Sequence, residues 1–297
     1  MSVSDEKLAA AKNNSTKTFT DENAWAIILA GGDGLPRKKL IPQKKRFGCP
    51  AQFCRASGRD YLVNETRKRI ALGFAPEKTL FVVTENHARY YERALTDVPP
   101  ENLIVQPQND GSTFAVLYAA LHLAKRAKTT TVAAFFPSDF RPTDTEVFMS
   151  SVKTAVQAVG AQPNLILLGV EPSDAGAAEE WIEPEAAHLN ETFNVRRVSG
   201  FYDLVSPDKA RELKNQGGLR HSSVMVGTIA TFLRKIRRAA PEIYARFYRV
   251  KSKIGTPDET AAMRRVFYGN FADTDFSRDV LAKSADKLAV IPVGATK

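Results

Sequence analysis

The chain has 297 residues, 43% hydrophobic and 25% charged, with a net charge of +9. That length can bury a substantial core, and the balance of apolar and charged residues is ordinary for a globular protein. No stretch approaches the roughly 18 apolar residues a membrane span needs, and two cysteines, Cys49 and Cys54, make neither a disulfide framework nor a zinc set.

Met1 to Glu22 is polar and lacks the apolar core of a signal peptide. The expectation is a disordered lead-in over 1–22 in a cytoplasmic protein, followed by one domain over 23–297. From there short apolar runs alternate with amphipathic stretches. Strands are predicted at Ala24–Ala30, Thr79–Thr84, Leu103–Val105, Thr131–Phe136 and Asn164–Val170. Helices at Tyr61–Leu72, Asn86–Leu95, Thr113–Lys125 and Glu146–Val159 fall between them, with apolar residues at three- and four-residue spacing. Continuous apolar strands separated by helices predict an α/β fold, a mostly parallel sheet covered by helices. After Val170 the pattern is mixed: strand-like Trp181–Glu183, Phe193–Val198 and Ser222–Val226, helices at Pro207–Asn215, Ile229–Arg238 and Pro241–Val250, and a last strand at Lys287–Ile291.

The first strand runs into Ala30-Gly31-Gly32-Asp33-Gly34. Glycines at the end of a parallel strand let the backbone approach a ligand, and successive amides there can hold an anion. Ligands of open α/β sheets sit at the carboxyl ends of the strands, which is where this turn falls. The spacing is neither a Walker loop nor a dinucleotide fingerprint, and a tight turn also needs glycine.

The run Ile27 to Gly34, followed by Cys49-Pro50-Ala51-Gln52-Phe53, resembles the opening of mannose-1-phosphate guanylyltransferases, which reads roughly LAGG-x-G-T-R-L and then P-K-Q-F. Gln106-Pro107-Gln108-Asn109, Phe136-Pro137-Ser138-Asp139, Leu167 to Pro172, Trp181-Ile182-Glu183, Val224 to Gly227 and Ala240-Pro241-Glu242-Ile243-Tyr244 resemble further segments of that family in the same order. The resemblance spans roughly Ala24 to Val293, and the collinear order carries it rather than any single match. It implies a three-layer αβα, Rossmann-like nucleotide-diphospho-sugar transferase fold with a twisted, mostly parallel sheet. It also implies a reaction: GTP and mannose 1-phosphate give GDP-mannose and pyrophosphate.

By the same resemblance Gly31, Gly32, Gly34, Gln52 and Asn109 would bind nucleotide, Asp139 would hold Mg²⁺, and Glu183 and His221 would meet the sugar. Asp139 could instead cap a helix after Phe140, and His221 could be an ordinary polar residue at a strand start. The family's arginine falls on Pro36 or is displaced to Arg37, its P-K-Q-F lysine is Ala51, and the arginine after Asn109 is Asp110. Glu180 replaces a glycine, Arg220-His221 stand for a Trp-Asn pair, and no GW-S-D segment occurs within the 297 residues. Phosphoryl transfer depends on positioning and cations, and loss of one aimed arginine costs about 10³–10⁵ in rate. The expectation is a weakly active or inactive homologue that binds a nucleotide or sugar nucleotide, with Asp110 and Glu180 repelling a polyphosphate. The alternative is an active sugar-1-phosphate nucleotidyltransferase that recruits Arg37, Lys44 or Arg46 from its basic loop, a run that could equally be a solvated surface.

The expected partners are GTP or a sugar nucleotide and a sugar 1-phosphate. No membrane is expected, and a protein partner stays open. The net charge invites a nucleic-acid reading, but no helix-turn-helix, zinc-finger or single-strand-binding pattern accompanies it, so nucleic acid is the most distant alternative. A basic surface also attracts phosphorylated small molecules.

Overall fold

The computed structural model describes residues 24–33, 49–55, 60–161, 164–173, 179–203, 205–269 and 274–294. Within them the apolar runs become one nine-stranded sheet, in the order β3-β2-β1-β4-β8-β5-β9-β7-β6. The strands are β1 (Ala24–Leu29), β2 (Thr79–Thr84), β3 (Leu103–Gln106), β4 (Val132–Pro137), β5 (Leu165–Val170), β6 (Trp181–Asn190), β7 (Val195–Tyr202), β8 (Leu219–Thr228) and β9 (Leu288–Pro292). β3, β2, β1 and β4 pair in parallel, as do β5 and β9. β8 lies antiparallel between β4 and β5, and β7 antiparallel between β9 and β6. The fold is therefore mixed α/β with a large, mostly parallel central sheet. The strands predicted from Ala24 to Val170 fall where expected to within a residue or two, as does β9; β6, β7 and β8 run longer than the sequence suggests.

Successive residues of a strand point to opposite faces, so each buried run feeds two cores. Ile27, Val82, Phe135 and Leu167 join one cluster, and Ile28, Val83, Phe136 and Leu168 join the other. The first face is covered by α3 (Ser112–Arg126), α6 (Ile229–Ala239), α7 (Pro241–Val250) and α8 (Glu259–Val266), through Phe114, Phe232, Phe247 and Met263. The second is covered by α1 (Leu62–Ile70), α2 (Ala88–Ala94) and α4 (Thr145–Ala161), through Val63, Tyr91 and Phe148. α5 (Pro207–Asn215) packs Ala210 and Leu213 on the fully buried Trp181.

Helix α3 is buried almost all round, which suits its place between the sheet and the outer helices. Helix α6 has a single apolar stripe, Ile229, Phe232 and Ile236, and Thr228 caps it by accepting from the amide of Thr231. Helix α8, only eight residues from Glu259 to Val266, has no counterpart among the helices read from the sequence. No helix of the described residues is long and apolar enough to cross a membrane.

Candidate functional site

At the end of β1 the chain leaves the sheet through Gly31, Gly32 and Asp33, and side chains from four other segments fix that turn. The amide of Gln52, itself buried, donates to the carbonyls of Ala30 (2.8 Å) and Gly32 (2.9 Å). The Thr84 hydroxyl, at the end of β2, donates to Gly31 O at 2.6 Å. A Cβ on Gly31 would stand 2.8 Å from Gln106 Oε1 and 2.9 Å from Thr84 Oγ1, so the glycine is required by close approach. The Asp33 carboxylate bridges two partners: Oδ1 lies 2.9 Å from His87 Nε2, and Oδ2 accepts from Asn109 Nδ2 at 2.9 Å. Asn109 in turn accepts from the amide of Gly111.

The structure thus brings Gly31, Gly32, Gln52 and Asn109, four of the residues singled out in the sequence, to one turn. It adds Asp33, Thr84, His87 and Gln106, which sequence reasoning missed. His87 reads as an ordinary residue at a helix start, yet it is buried against Phe53 and aimed at the turn. Gly34 and Arg37, with the rest of the basic loop, lie outside the described residues.

The two acidic residues expected to face a polyphosphate are both turned to other uses. Asp110 is 4% exposed, accepts from Gln108 Nε2 at 2.7 Å, and burial pushes its carboxyl up, against the opposing pull of Gln108 and Arg246. Glu180 is engaged by His221, whose Nδ1 lies 2.7 Å from its Oε2. The amino end of α3 is covered by another part of the chain: the amide of Ser112 donates to Thr274 O at 3.0 Å, and Ser112 Oγ accepts from the amide of Phe276 at 2.7 Å.

A second feature lies along the carboxyl ends of β4 and β5. Because β8 is antiparallel, its first residues stand beside those ends, and a cavity of roughly 830 Å³ opens there. Asp139, Arg141, Asp144, Glu171, Arg220 and His221 are among its walls. Asp139 follows β4 in a turn and does not cap a helix: Asp144 caps α4, accepting from the amide of Val147. His221 sits inside β8 rather than at its start. Its side chain is 1% exposed, Phe201 packs on the ring, and Nε2 has no hydrogen-bond partner among the described residues. The Glu180 carboxylate can only accept, so Nδ1 carries the proton of that bond.

β8 bulges at this wall. Its register with β5 passes from Leu167↔Met225 to Gly169↔His221, so four residues of β8 span two of β5. Ser223 takes φ 61°, in the left-handed region that non-glycine residues seldom occupy. Bulges and such backbone outliers concentrate at functional sites because they re-aim side chains. Here Ser222 and Ser223 are turned into the cavity wall.

The cavity is poor in uncompensated positive charge. Arg220 is paired with Glu179 at 2.7 Å and Arg141 with Glu65 at 2.9 Å, while Asp139, Asp144 and Glu171 share the walls. Glu183 is not among the lining residues of this cavity. Its Oε2 accepts from the Tyr202 hydroxyl at 2.7 Å, and that bond, with burial behind it, pushes the phenol of Tyr202 up. Among the described residues no group of three His, Cys, Asp or Glu is placed to hold a metal. Asp139 nevertheless fits Mg²⁺ as a single carboxylate, since that ion takes one or two carboxylates and fills its shell with water and phosphate oxygens.

Known structures share this architecture. The chain is similar to a mannose-1-phosphate geranyltransferase from Thermus thermophilus, with a TM-score of 0.75 and 21% identity over 91% of this chain and 74% of that one. It is similar to a mannose-6-phosphate isomerase from Helicobacter pylori, with a TM-score of 0.68 and 18% identity over 92% and 98%. A CMP:2-keto-3-deoxy-manno-octonic acid synthetase complexed with CTP aligns at a TM-score of 0.51 and 12% identity over 91% and 90%. No family model and no curated protein matches the sequence. The chain therefore shares the fold of these proteins.

Proposed function

We propose that the protein binds a sugar phosphate or sugar nucleotide in the cavity between Asp139 and His221, and that nucleotidyl transfer is weak or lost. The observation that carries this reading is the Asp33 carboxylate on the glycine turn, held there by His87 and Asn109. A triphosphate laid on the turn would meet a fixed negative charge. It would also find the amides of Gln52 and Asn109 already donating to the protein. Catalysis of this kind rests on donors aimed at developing charge, and each one removed costs about 10²–10³ in rate.

Binding in the cavity draws different support. Carboxylates suit the hydroxyls of a sugar, which donate hydrogen bonds. Glu180 holds His221 in the cavity wall through Nδ1, and the bulge at Ser222 and Ser223 adds two hydroxyls. A Mg²⁺ brought in on phosphate oxygens would be held by Asp139 and would offset the negative charge of the walls; when bound it would absorb charge on the phosphate. Arg220, loosened from Glu179, would reach the same phosphate.

The test is pyrophosphate release from GTP, mannose 1-phosphate and Mg²⁺, run beside calorimetric titration with GDP-mannose and with mannose 1-phosphate. The expected turnover is below about 10⁻² s⁻¹, at least a hundredfold under the usual range for enzymes. Binding of one of the sugar ligands is expected, and its loss in His221→Ala. Turnover at an ordinary rate that disappears in Asp139→Ala would establish the active-enzyme alternative, and absence of binding by every sugar ligand would remove the proposal altogether.

A further inference from the structure

A different charged feature lies at the opposite end of the strands. Strand β5 connects the two regions: Val170 at its carboxyl end lines the Asp139 cavity, and Leu165 at its amino end lines a second hollow, five residues or about 16 Å of strand away. That hollow has a volume of roughly 490 Å³ and takes Lys235 and Arg238 from α6 and Lys283, Ser284 and Lys287 from the helical turns before β9. An adjoining hollow of roughly 460 Å³ shares Arg234 and Arg238 and adds Arg237 and Tyr244. Both are of the size that small-molecule ligands occupy.

Six cations converge here from two segments distant in the sequence. Among the described residues none of the six forms an ion pair with a carboxylate. Elsewhere the protein pairs its basic groups readily, as Arg67 with Asp97 and Lys253 with Asp258. Arg237 and Arg238 end α6, where any helix favours cations. That preference does not reach Lys283 and Lys287, and it does not explain why Lys235 is buried.

Lys235 is 8% exposed, and among the described residues its ammonium makes one hydrogen bond, 3.2 Å to Ser284 Oγ. The Ser284 hydroxyl is fixed as the acceptor because its proton goes to Val280 O at 2.9 Å. An ammonium carries three donors, so two remain for a ligand.

We propose that this double hollow is a binding site for a small, multiply charged phosphate, with Lys235 as its buried anchor and Arg238, Lys283 and Lys287 around it. Two sources share that chemistry, inorganic polyphosphate and a nucleotide, and Tyr244 in the adjoining hollow offers a ring face that only the nucleotide would use.

The ammonium of Lys235 supplies a signature that loose surface attraction lacks. Burial pushes its pKa down to about 8; Asp286 pulls it up, and Lys287, Arg234 and Arg238 push it further down. A bound phosphate adds negative charge beside it and restores the protonated form, so binding near pH 8 takes up a fraction of a proton.

The experiment is calorimetric titration of the full chain with inorganic triphosphate and with GTP at pH 8, in two buffers of different ionisation enthalpy. Triphosphate should bind, with proton uptake, and more weakly as salt is raised. Lys235→Met should lower the affinity at least about tenfold and abolish the proton uptake. Because a substitution at a buried site could unfold the chain, the exposed pair Lys283→Ala with Lys287→Ala serves as a second variant and should lower affinity similarly. Arg67→Ala, on α1 over the other face of the sheet and outside both sites, should leave triphosphate binding intact. Weaker GTP binding in Tyr244→Ala, with triphosphate unchanged, identifies the nucleotide as the source; equal effects identify the inorganic anion. No binding at millimolar triphosphate, or binding untouched by both the Lys235 and the Lys283 with Lys287 substitutions, overturns the proposal. So does tight binding of a DNA duplex that triphosphate fails to displace, which would make the surface a nucleic-acid face.

Discussion

Asp33 Oδ1 and His87 Nε2 lie 2.9 Å apart, and this contact ties the turn after β1 to the segment that follows β2. His87 is buried, whereas the Asp33 side chain is 63% exposed, so the histidine is held by packing and the aspartate is the half that can be changed without opening the core. Asp33→Ala should therefore cost at most about 1 kcal/mol of stability, while removing the charge that would oppose a phosphate. The expected result is tighter binding of a fluorescent GTP analogue in Asp33→Ala than in the wild type. His87→Ala should instead lower stability by about 2–4 kcal/mol through the space it leaves beside Phe53, read as a shift in the denaturation midpoint.

Two glycines with positive φ separate backbone strain from steric blockage. Gly217, φ 80°, has nothing within 4 Å of an added Cβ, while Gly111, φ 96°, would place that Cβ 1.8 Å from Thr274 O. Gly217→Ala should cost about 1–2 kcal/mol, the penalty of a left-handed residue alone. Gly111→Ala should cost well over about 3 kcal/mol, because the segment that covers the start of α3 must move. Thermal unfolding of both variants checks the contrast, and equal losses would show that the Thr274 contact is not maintained in solution.

Glu259 joins α8 to α3. Its Oε1 accepts from the Tyr118 hydroxyl at 2.6 Å and lies 2.5 Å from His122 Nε2, and its Oε2 accepts from the amide of Gly255 at 2.8 Å. Burial acts to raise its pKa, but the bonds from His122, Tyr118 and Gly255 together outweigh it and hold the carboxyl below its ordinary value. A carboxylate depressed by folding contributes stability above its unfolded pKa and loses it as pH falls through the folded one. Glu259→Gln should therefore be less stable than the wild type by about 2 kcal/mol at neutral pH. The gap should close progressively below about pH 4, as followed by denaturant titration at several pH values. A constant gap would show that the charge is not what matters.

At the cavity wall, Glu180→Gln tests whether His221 is oriented rather than merely packed. The amide can present its NH₂ to Nδ1 and so favour the tautomer with the proton on Nε2. Affinity for the sugar ligand should fall about tenfold with little change in melting temperature, since one hydrogen bond is worth about 1 kcal/mol. His221→Ala should lose both, because the ring packs on Phe201.

From the residues alone the alternation of apolar runs and helical periods determined the class of fold, most elements up to Val170, and the place of the glycine turn at a strand end. Local rules suffice there: a buried parallel strand must be apolar throughout, and the turn after it needs glycine for close approach. They were weaker beyond Val170, where β6 carries exposed residues and a register shift at Pro184, and where α8 spans only eight residues, little more than two turns. What each polar residue does was decided only by tertiary structure. Gln52, Asn109 and His87 are separated by dozens of residues yet meet at one turn, and Asp110 and Glu180, whose charges read as facing a ligand, are directed into the protein. Sequence carries residue type and spacing along the chain, whereas hydrogen bonds and ion pairs form across strands whose order, β1 between β2 and β4 and β8 between β4 and β5, is set by the packing of the whole sheet.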